Sequence, residues 1–252
     1  MHRELGDAGG ILAVTPENLR KWCDKPLRKE HGTPEVLPPG VVTGLGVTSI
    51  GGETFLIEIA LGDQHERKLK ITGVRASGDS KESVNKIDES LQIAFGFFSS
   101  RSGVLRDCIR ELEREKPLYV QGNLTEGGVP KDGPSAGVAI ALALFGALTG
   151  QSIKPTAETP SLAATGEISL SGSVTAVGGI RDKVLAAHRS GIRVVIIPKE
   201  NEDDIDEIPA DVRKELRVVP VSTIAEALEI AFPDDPDVST VAKRRNTQQG
   251  SK

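Results

Sequence analysis

At 252 residues the chain is long enough to bury a core, as one domain or two small ones. Apolar residues make up 38% and charged residues 27%, as in globular proteins, and a net charge of −5 argues against a nucleic-acid partner. No apolar run approaches the roughly 18 residues that span a bilayer, which argues against a membrane protein. Cys23 and Cys108 have neither metal-ligand nor disulfide-framework spacing, so we expect a cytoplasmic protein, with the mitochondrial or peroxisomal matrix as the alternative.

The first half of the chain is predicted to contain a short helix, a hairpin and two longer helices. Thr15 and Pro16 are typical of an N-cap and a first helical position, and residues 1–12 are expected to be disordered. Gly51-Gly52 lies between two strand-like runs and predicts the turn of a hairpin. The later predicted elements are strands 41–50, 54–61 and 67–72 and helices 80–100 and 104–115.

The second half mixes strands and helices without strict βαβ alternation, which predicts an α+β fold with several small sheets packed against helices. We expect a domain at 41–232, preceded by a linker at 13–40 and followed by a disordered tail at 233–252. The predicted elements are strand 118–121, glycine-rich loop 122–133, helix 138–148, a strand–turn–strand within 161–177, helix 180–190, strands 193–198 and 216–221, and helix 224–232.

Ser135 lies where the glycine- and proline-rich loop meets the apolar helix 138–148. The free N–H groups and positive dipole end of a helix start can stabilise an oxyanion, so Ser135 is a candidate nucleophile, with the backbone N–H groups of Ser135 and Ala136 as donors. The alternative is a serine that only caps the helix. Residues 133–137 also match the nucleophile elbow G-x-S-x-G, but no strand precedes Ser135 and no suitable acid and histidine follow it.

Lys183 is the candidate general base, because helical spacing places it on one face with Ile180, Val184 and Ala187. A lysine acts as a base only when neutral, and desolvation can lower its free pKa of ~10.4 by several units. The alternative is a surface lysine whose stem is buried while its ammonium reaches water. Lys131, beside the serine, is a rival base on a loop that looks exposed.

Two segments resemble the active-site segments of the Lon proteases: 130–137 (PKDGPSAG) and 178–183 (GGIRDK). The continuations 184–189 (VLAAHR) and 196–201 (IIPKEN) are similar as well. The resemblance runs from about residue 14 to residue 232, and it implies the fold of the Lon proteolytic domain.

The resemblance also implies the roles of individual residues. Ser135 would be the nucleophile and Lys183 the general base, with Thr165 hydrogen bonded to the lysine. Glu126 and Asp132 match acidic residues that flank the active site, and Asp132 is associated with an inactive arrangement of the serine loop. The family further implies a homo-hexamer that degrades unfolded, damaged or regulatory proteins with the help of an AAA+ ATPase module.

The chain departs from the family pattern in ways that bear on function. Gln121 and Asn123 stand where histidines often occur, so a histidine is not the expected base, and the connection 151–161 is longer than usual. No G-x-x-x-x-G-K-[ST] phosphate loop is present, so we expect no cofactor here; ATP and Mg²⁺ would serve only an ATPase module outside this chain. Residues 13–40 resemble the end of that module, which predicts an isolated proteolytic domain. The alternative function is a non-catalytic Lon-like scaffold.

Overall fold

The computed structural model describes residues 15, 36–49, 51–63, 68–73, 82–100, 105–125 and 134–233, and of residues 82–85 only the backbone. The chain divides into two units, Met1–His31 and Gly32–Lys252, and every helix and strand below belongs to the second. The helix predicted after Thr15, the tail at 1–12 and residues 234–252 lie outside the described residues. The domain boundaries expected from the sequence therefore stay predictions.

Seven strands form one mixed sheet, whose middle is a long antiparallel hairpin. Its alternating pattern buries Phe55, Ile57 and Ile59 on one face, as expected for a half-buried strand. The strands are β1 Val41–Thr48, β2 Gly51–Asp63, β3 Lys68–Thr72, β4 Leu118–Leu124, β5 Leu162–Ala164, β8 Val194–Pro198 and β9 Arg217–Val221, in the order β3-β4-β2-β1-β5-β8-β9. Strands β6 Glu167–Ile168 and β7 Val174–Thr175 form a separate two-stranded sheet.

The α+β class is confirmed, but the strands do not form several small sheets. Strand β1 uses both of its edges: it pairs antiparallel with β2 and parallel with β5 at Thr43 and Gly44. Strand β5 in turn pairs parallel with β8, and β8 with β9. The N-terminal hairpin and the C-terminal parallel strands are thereby joined through β1 into one large sheet.

Helices pack on both faces of this sheet and create two apolar cores. The described helices are α1 Glu82–Ser99, α2 Arg106–Leu112, α3 Gly137–Thr149, α4 Ile180–Arg189, α5 Ala210–Glu215 and α6 Ile224–Ala231, with a 3₁₀ turn Pro134–Ala136 before α3 and 3₁₀ turns over Lys199–Glu207. Helix α3 is packed in the larger core with α1 and α6. Helix α4 contributes to the smaller core on the other face, together with α5.

The turn of the central hairpin differs from the prediction. Gly51 and Gly52 belong to strand β2, and Gly51 pairs with Thr48 at the end of β1. Gly52 is needed for a different reason: a Cβ atom there would overlap the main-chain carbonyl of Asp182 on α4. The glycine therefore permits the close approach of a helix, which period-two patterning along a strand does not reveal.

Candidate active site

Helices α3 and α4 lie on opposite faces of the sheet, and the two candidate residues of the dyad, one just before α3 and one on α4, both reach the carboxyl end of β5. Strand β5 ends at Ala164, and Thr165 and Gly166 follow it directly. Ser135 lies in the 3₁₀ turn before α3. Lys183 lies on the first turn of α4 and reaches the same place from the other face. Carboxyl ends of parallel strands are a common place for functional sites.

The main chain of Ser135 is held by the segment after β5. Its carbonyl oxygen accepts hydrogen bonds from the Gly166 N–H at 2.8 Å and from the Thr165 hydroxyl at 3.1 Å. The carbonyl of Gly166 then accepts the Val138 N–H at 3.0 Å. Gly166 has a φ of 149°, and a Cβ there would lie 2.7 Å from Val138 Cγ2, so only glycine allows this approach.

Ser135 does not serve as the cap of α3. The N-cap position belongs to Ala136, and no side chain caps this helix. The Ser135 residue is half-buried, and its hydroxyl has no hydrogen-bond partner among the described residues. The interpretation of Ser135 as a capping serine is therefore wrong, and its hydroxyl remains available for chemistry.

Lys183 is buried, at 2% exposure, on the face of α4 that also contains Ile180, Val184 and Ala187. The Nζ atom donates a hydrogen bond to Thr165 Oγ1 at 3.0 Å, so the amine points inward and the surface-lysine alternative is wrong. Burial lowers the pKa of Lys183 from 10.5 to about 8, because desolvation disfavours the charged ammonium. Within the described ranges no carboxylate lies at ion-pair distance from Nζ.

Thr165 connects the lysine to the serine segment. This threonine is fully buried, and its hydroxyl donates its one hydrogen to the Ser135 carbonyl. The oxygen can then only accept from Lys183, so the direction of both hydrogen bonds is fixed. The N–H of Thr165 donates to the carbonyl of Ile196 on β8 at 3.0 Å, which fixes the threonine to the sheet.

The Ser135 hydroxyl and the Lys183 amine are not hydrogen bonded to each other. The contact between the two residues runs through Thr165 and the main-chain carbonyl of Ser135. Glu126, Asp132 and the rival base Lys131 lie outside the described residues, so the roles expected for them stay predictions. Among the described residues, no group of three or more histidine, cysteine or acidic side chains could hold a metal ion.

Gly52 is a site-supporting residue that the sequence did not reveal. Its carbonyl oxygen accepts a hydrogen bond from Arg189 Nη2 at 3.0 Å, at the other end of α4 from Gly179. The same glycine gives the backbone of α4 room beside Lys183. The signal in the sequence is a pair of glycines next to a strand-like run, which equally fits the turn of a hairpin.

In the described part of the chain, no helix is long and apolar enough to cross a membrane.

An α+β domain with an unpaired serine hydroxyl before a buried helix and a desolvated lysine beside it has the arrangement of a serine hydrolase. Comparison with known proteins defines the family more closely. Residues 13–234 match the family model described as Lon protease (S16) C-terminal proteolytic domain. The chain therefore belongs to the family of Lon C-terminal proteolytic domains, and it is a serine protease domain that hydrolyses peptide bonds.

Individual relatives agree with this assignment. Lon protease of Vibrio parahaemolyticus is 39% identical over 226 residues, which are 89% of this chain and 27% of that protein. Lon protease of Methanosphaera stadtmanae is 43% identical over 196 residues, or 77% of this chain and 22% of that protein. Lon protease 1 of Bacillus subtilis is 37% identical over 221 residues, or 88% and 26%. The chain thus spans about a quarter of the length of these relatives.

Proposed function

We propose that this domain is an endopeptidase that uses Ser135 as its nucleophile and Lys183 as its general base. The observation that carries the proposal is the buried Lys183 amine, which donates to Thr165 while Thr165 donates to the Ser135 carbonyl. A serine hydroxyl is a weak nucleophile and needs an adjacent base. A lysine whose pKa is lowered to about 8 supplies neutral amine near physiological pH.

Thr165 orients the amine for this role. A neutral amine has two N–H groups and one lone pair, and one N–H is taken by Thr165 Oγ1. The lone pair is then free to accept the proton of the Ser135 hydroxyl. Because the threonine hydrogen is already donated to a carbonyl, Thr165 cannot compete for that lone pair.

The proposed reaction proceeds through an acyl-enzyme. Ser135 Oγ attacks the peptide carbonyl as Lys183 takes the hydroxyl proton, and the developing oxyanion is bound by the N–H groups of Ser135 and Ala136. Lys183 then protonates the leaving amine, and water hydrolyses the ester with the same lysine as base. The Val138 N–H is not among the proposed donors, because the Gly166 carbonyl occupies it.

The cycle requires the Ser135 hydroxyl to move to the amine, since the two groups are not hydrogen bonded. Catalytic hydrogen bonds often tighten only when substrate is bound. We expect Asp132 to favour the inactive arrangement: a carboxylate beside Lys183 would keep the lysine charged. Weak cleavage of peptides and little degradation of folded proteins are therefore expected of this domain alone.

For the whole protein we propose the functions that the family resemblance implies. These are degradation of unfolded, damaged or regulatory proteins by a homo-hexamer, with an AAA+ ATPase module that unfolds the substrate. The proposal rests on the family membership of residues 13–234. The chemical step proposed above does not use a nucleotide.

The proposal is tested by labelling with a fluorophosphonate or a peptide boronate, together with hydrolysis of a fluorogenic peptide. We expect the wild-type domain to be labelled at Ser135, and Ser135→Ala to lose both labelling and hydrolysis. The variant should fold normally, because the hydroxyl has no hydrogen-bond partner among the described residues. Peptide hydrolysis that persists in Ser135→Ala, or a wild type that neither reagent labels, would contradict the proposal.

A further inference from the structure

The start of α4 has no side-chain cap, although it determines where Lys183 lies. The N-cap residue is Gly179, which has a left-handed conformation at φ 71°. Its carbonyl accepts the Lys183 N–H at 3.0 Å, so the lysine backbone is bonded directly to this glycine. A helix with an uncapped start must be fixed by the chain that enters it. That chain is the segment 176–179, which connects β7 to α4.

Asn201 binds this entering segment like a neighbouring strand. Its Oδ1 accepts the Val177 N–H at 2.9 Å, and its Nδ2 donates to the Val177 carbonyl at 3.0 Å. The same Nδ2 donates to Asp204 Oδ2 at 2.8 Å, and a carboxylate can only accept, so the orientation of the amide is fixed. Asn201 is 8% exposed, which shields these hydrogen bonds from water.

The segment that carries Asn201 is continuous with β8, the strand that is hydrogen bonded to Thr165. Strand β8 accepts the Thr165 N–H through Ile196, and the chain continues from Pro198 into the 3₁₀ turns that contain Asn201. One continuous segment of chain is therefore hydrogen bonded both to Thr165 and to the entry of α4. A shift of Asn201 relative to Val177 would change the distance between Lys183 and Thr165 without a direct contact to either.

We propose that Asn201 is a positioning residue for the peptidase reaction: by pairing with both polar groups of Val177 it fixes the entry of α4, and so holds the Lys183 amine on Thr165. The inference rests on the proposed function of Lys183. Asn201 touches neither the substrate nor the reacting atoms. Glu200 adds a solvent-exposed contact to the same segment, since its carboxylate accepts the Ala176 N–H at 2.9 Å.

Among the described residues, the acidic side chains nearest to α4 and to Asn201 have other partners than the Lys183 amine. Asp182, the neighbour of Lys183 on α4, lies 3.7 Å from Arg181 Nη1 at the surface. Glu200 and Asp204 face the 176–177 segment and Asn201. In the described part of the chain, the buried Lys183 Nζ donates to the Thr165 hydroxyl and forms no ion pair with a carboxylate. A displaced α4 would expose the amine to water, which favours its charged form.

The test compares Asn201→Ala and the isosteric Asn201→Asp with wild type in peptide hydrolysis. The aspartate keeps an acceptor for the Val177 N–H, but it places a carboxylate oxygen against the Val177 carbonyl and Asp204. The matched control is Thr223→Ala, which removes the cap of α6, where Thr223 Oγ1 accepts the Glu226 N–H at 3.3 Å. That variant should lower the melting temperature with little change in the peptide rate. Rates are scaled to the folded fraction measured by circular dichroism.

We expect kcat to fall at least tenfold in both Asn201 variants while KM changes less than twofold. The lower limb of the kcat/KM profile of Asn201→Ala should also move to higher pH. A purely structural role would lower the folded fraction, as expected for Thr223→Ala, without moving the profile. Unchanged kcat per folded molecule in Asn201→Asp overturns the inference while an inactive Ser135→Ala leaves the proposed function intact. Activity retained in Ser135→Ala would instead reject the proposed function.

Discussion

Helices α3 and α4 each bring one candidate catalytic residue to the site, but they are held in different ways. Eleven of the thirteen residues of α3 are buried, so apolar packing on all sides fixes this helix. Only five of the ten residues of α4 are buried, and one of these is Lys183. Polar contacts support α4 at both ends: Asn201 with Val177 before the helix, and Arg189 with Gly52 at its end.

The difference separates stability from reactivity. The serine side of the site is supported by an apolar core. Weakening this core should lower the free energy of unfolding without altering the chemistry of the molecules that stay folded. The lysine side includes a desolvated amine, which lowers stability but lets the base lose its proton at about pH 8 instead of 10.5. A substitution in the core of α3 should therefore lower the free energy of unfolding with little effect on turnover. Replacing Lys183 in α4 should raise the free energy of unfolding below pH 8 and abolish turnover.

The largest effect is expected for Lys183→Met, which replaces the amine with an apolar side chain of similar length. Peptide hydrolysis should fall by about three orders of magnitude or more, as for loss of a catalytic base. The free energy of unfolding should rise below pH 8, because the folded state binds the Lys183 proton less tightly than the unfolded chain. Urea denaturation between pH 6 and pH 11 measures the change.

The sign and range of that stability change follow from the two pKa values. The pKa of Lys183 falls from 10.5 to about 8 on burial, so between these values the unfolded chain binds more protons and wild-type stability rises with pH. Below pH 8 the full cost applies, on the order of 3 kcal/mol. Lys183→Met should lack this rise. A variant that is less stable than wild type at pH 7 and equally pH-dependent would contradict the desolvation account.

The next effect concerns Phe145 in α3, a fully buried residue whose ring lies 4.9 Å from that of Phe232 and 6.1 Å from that of Phe98. Phe145→Ala should lower the free energy of unfolding by about 3–5 kcal/mol through the cavity it leaves. Turnover per folded molecule should stay within about twofold, because Ser135 precedes Phe145 by about 15 Å along the axis of α3. Denaturant titration and peptide hydrolysis of one sample separate the two quantities.

A large loss of turnover in folded Phe145→Ala would mean that the core around α3 also affects the reactivity of Ser135. In that case the contrast between the two helices would not hold. A shift in the pH profile of peptide hydrolysis in Phe145→Ala would also contradict this contrast.

The smallest effect is expected at Thr165, where Thr165→Val removes the hydroxyl and keeps the volume. Lys183 Nζ then loses its acceptor and the Ser135 carbonyl loses one donor. We expect kcat/KM to fall about 10- to 100-fold, the equivalent of one or two hydrogen bonds. Steady-state kinetics with Thr165→Ser provide the control, because serine retains the hydroxyl and should stay within a few-fold of wild type. Equal loss in both variants would argue against the hydrogen-bonding role.

Helix α3 and the lysine face of α4 were predictable because both are periodic features of a few turns. The sequence placed the first at 138–148 and the structure has it at Gly137–Thr149. Lys183 with Ile180, Val184 and Ala187 was likewise expected on one face, and all four are buried. Helical spacing carries this information within a single segment.

Contacts between distant segments were not predictable in the same way. The joining of hairpin and parallel strands through β1 depends on pairing across more than a hundred residues. The role of Gly52 depends on a helix that follows it by about 130 residues. In the sequence, Asn201 stands out only as part of a segment that is similar to the Lon proteases. The 3₁₀ turns at Lys199–Glu207 have no apolar period long enough to signal them.

The most direct test of the account is the pH dependence of the rate at which a fluorophosphonate modifies Ser135. With Lys183 as the base, the wild-type rate should rise with pH through one titration near pH 8, and Lys183→Met should react slowly with no such step. A midpoint at about 6.5, the ordinary pKa of histidine, or the same midpoint in Lys183→Met, would contradict the central claim that a neutral Lys183 activates Ser135.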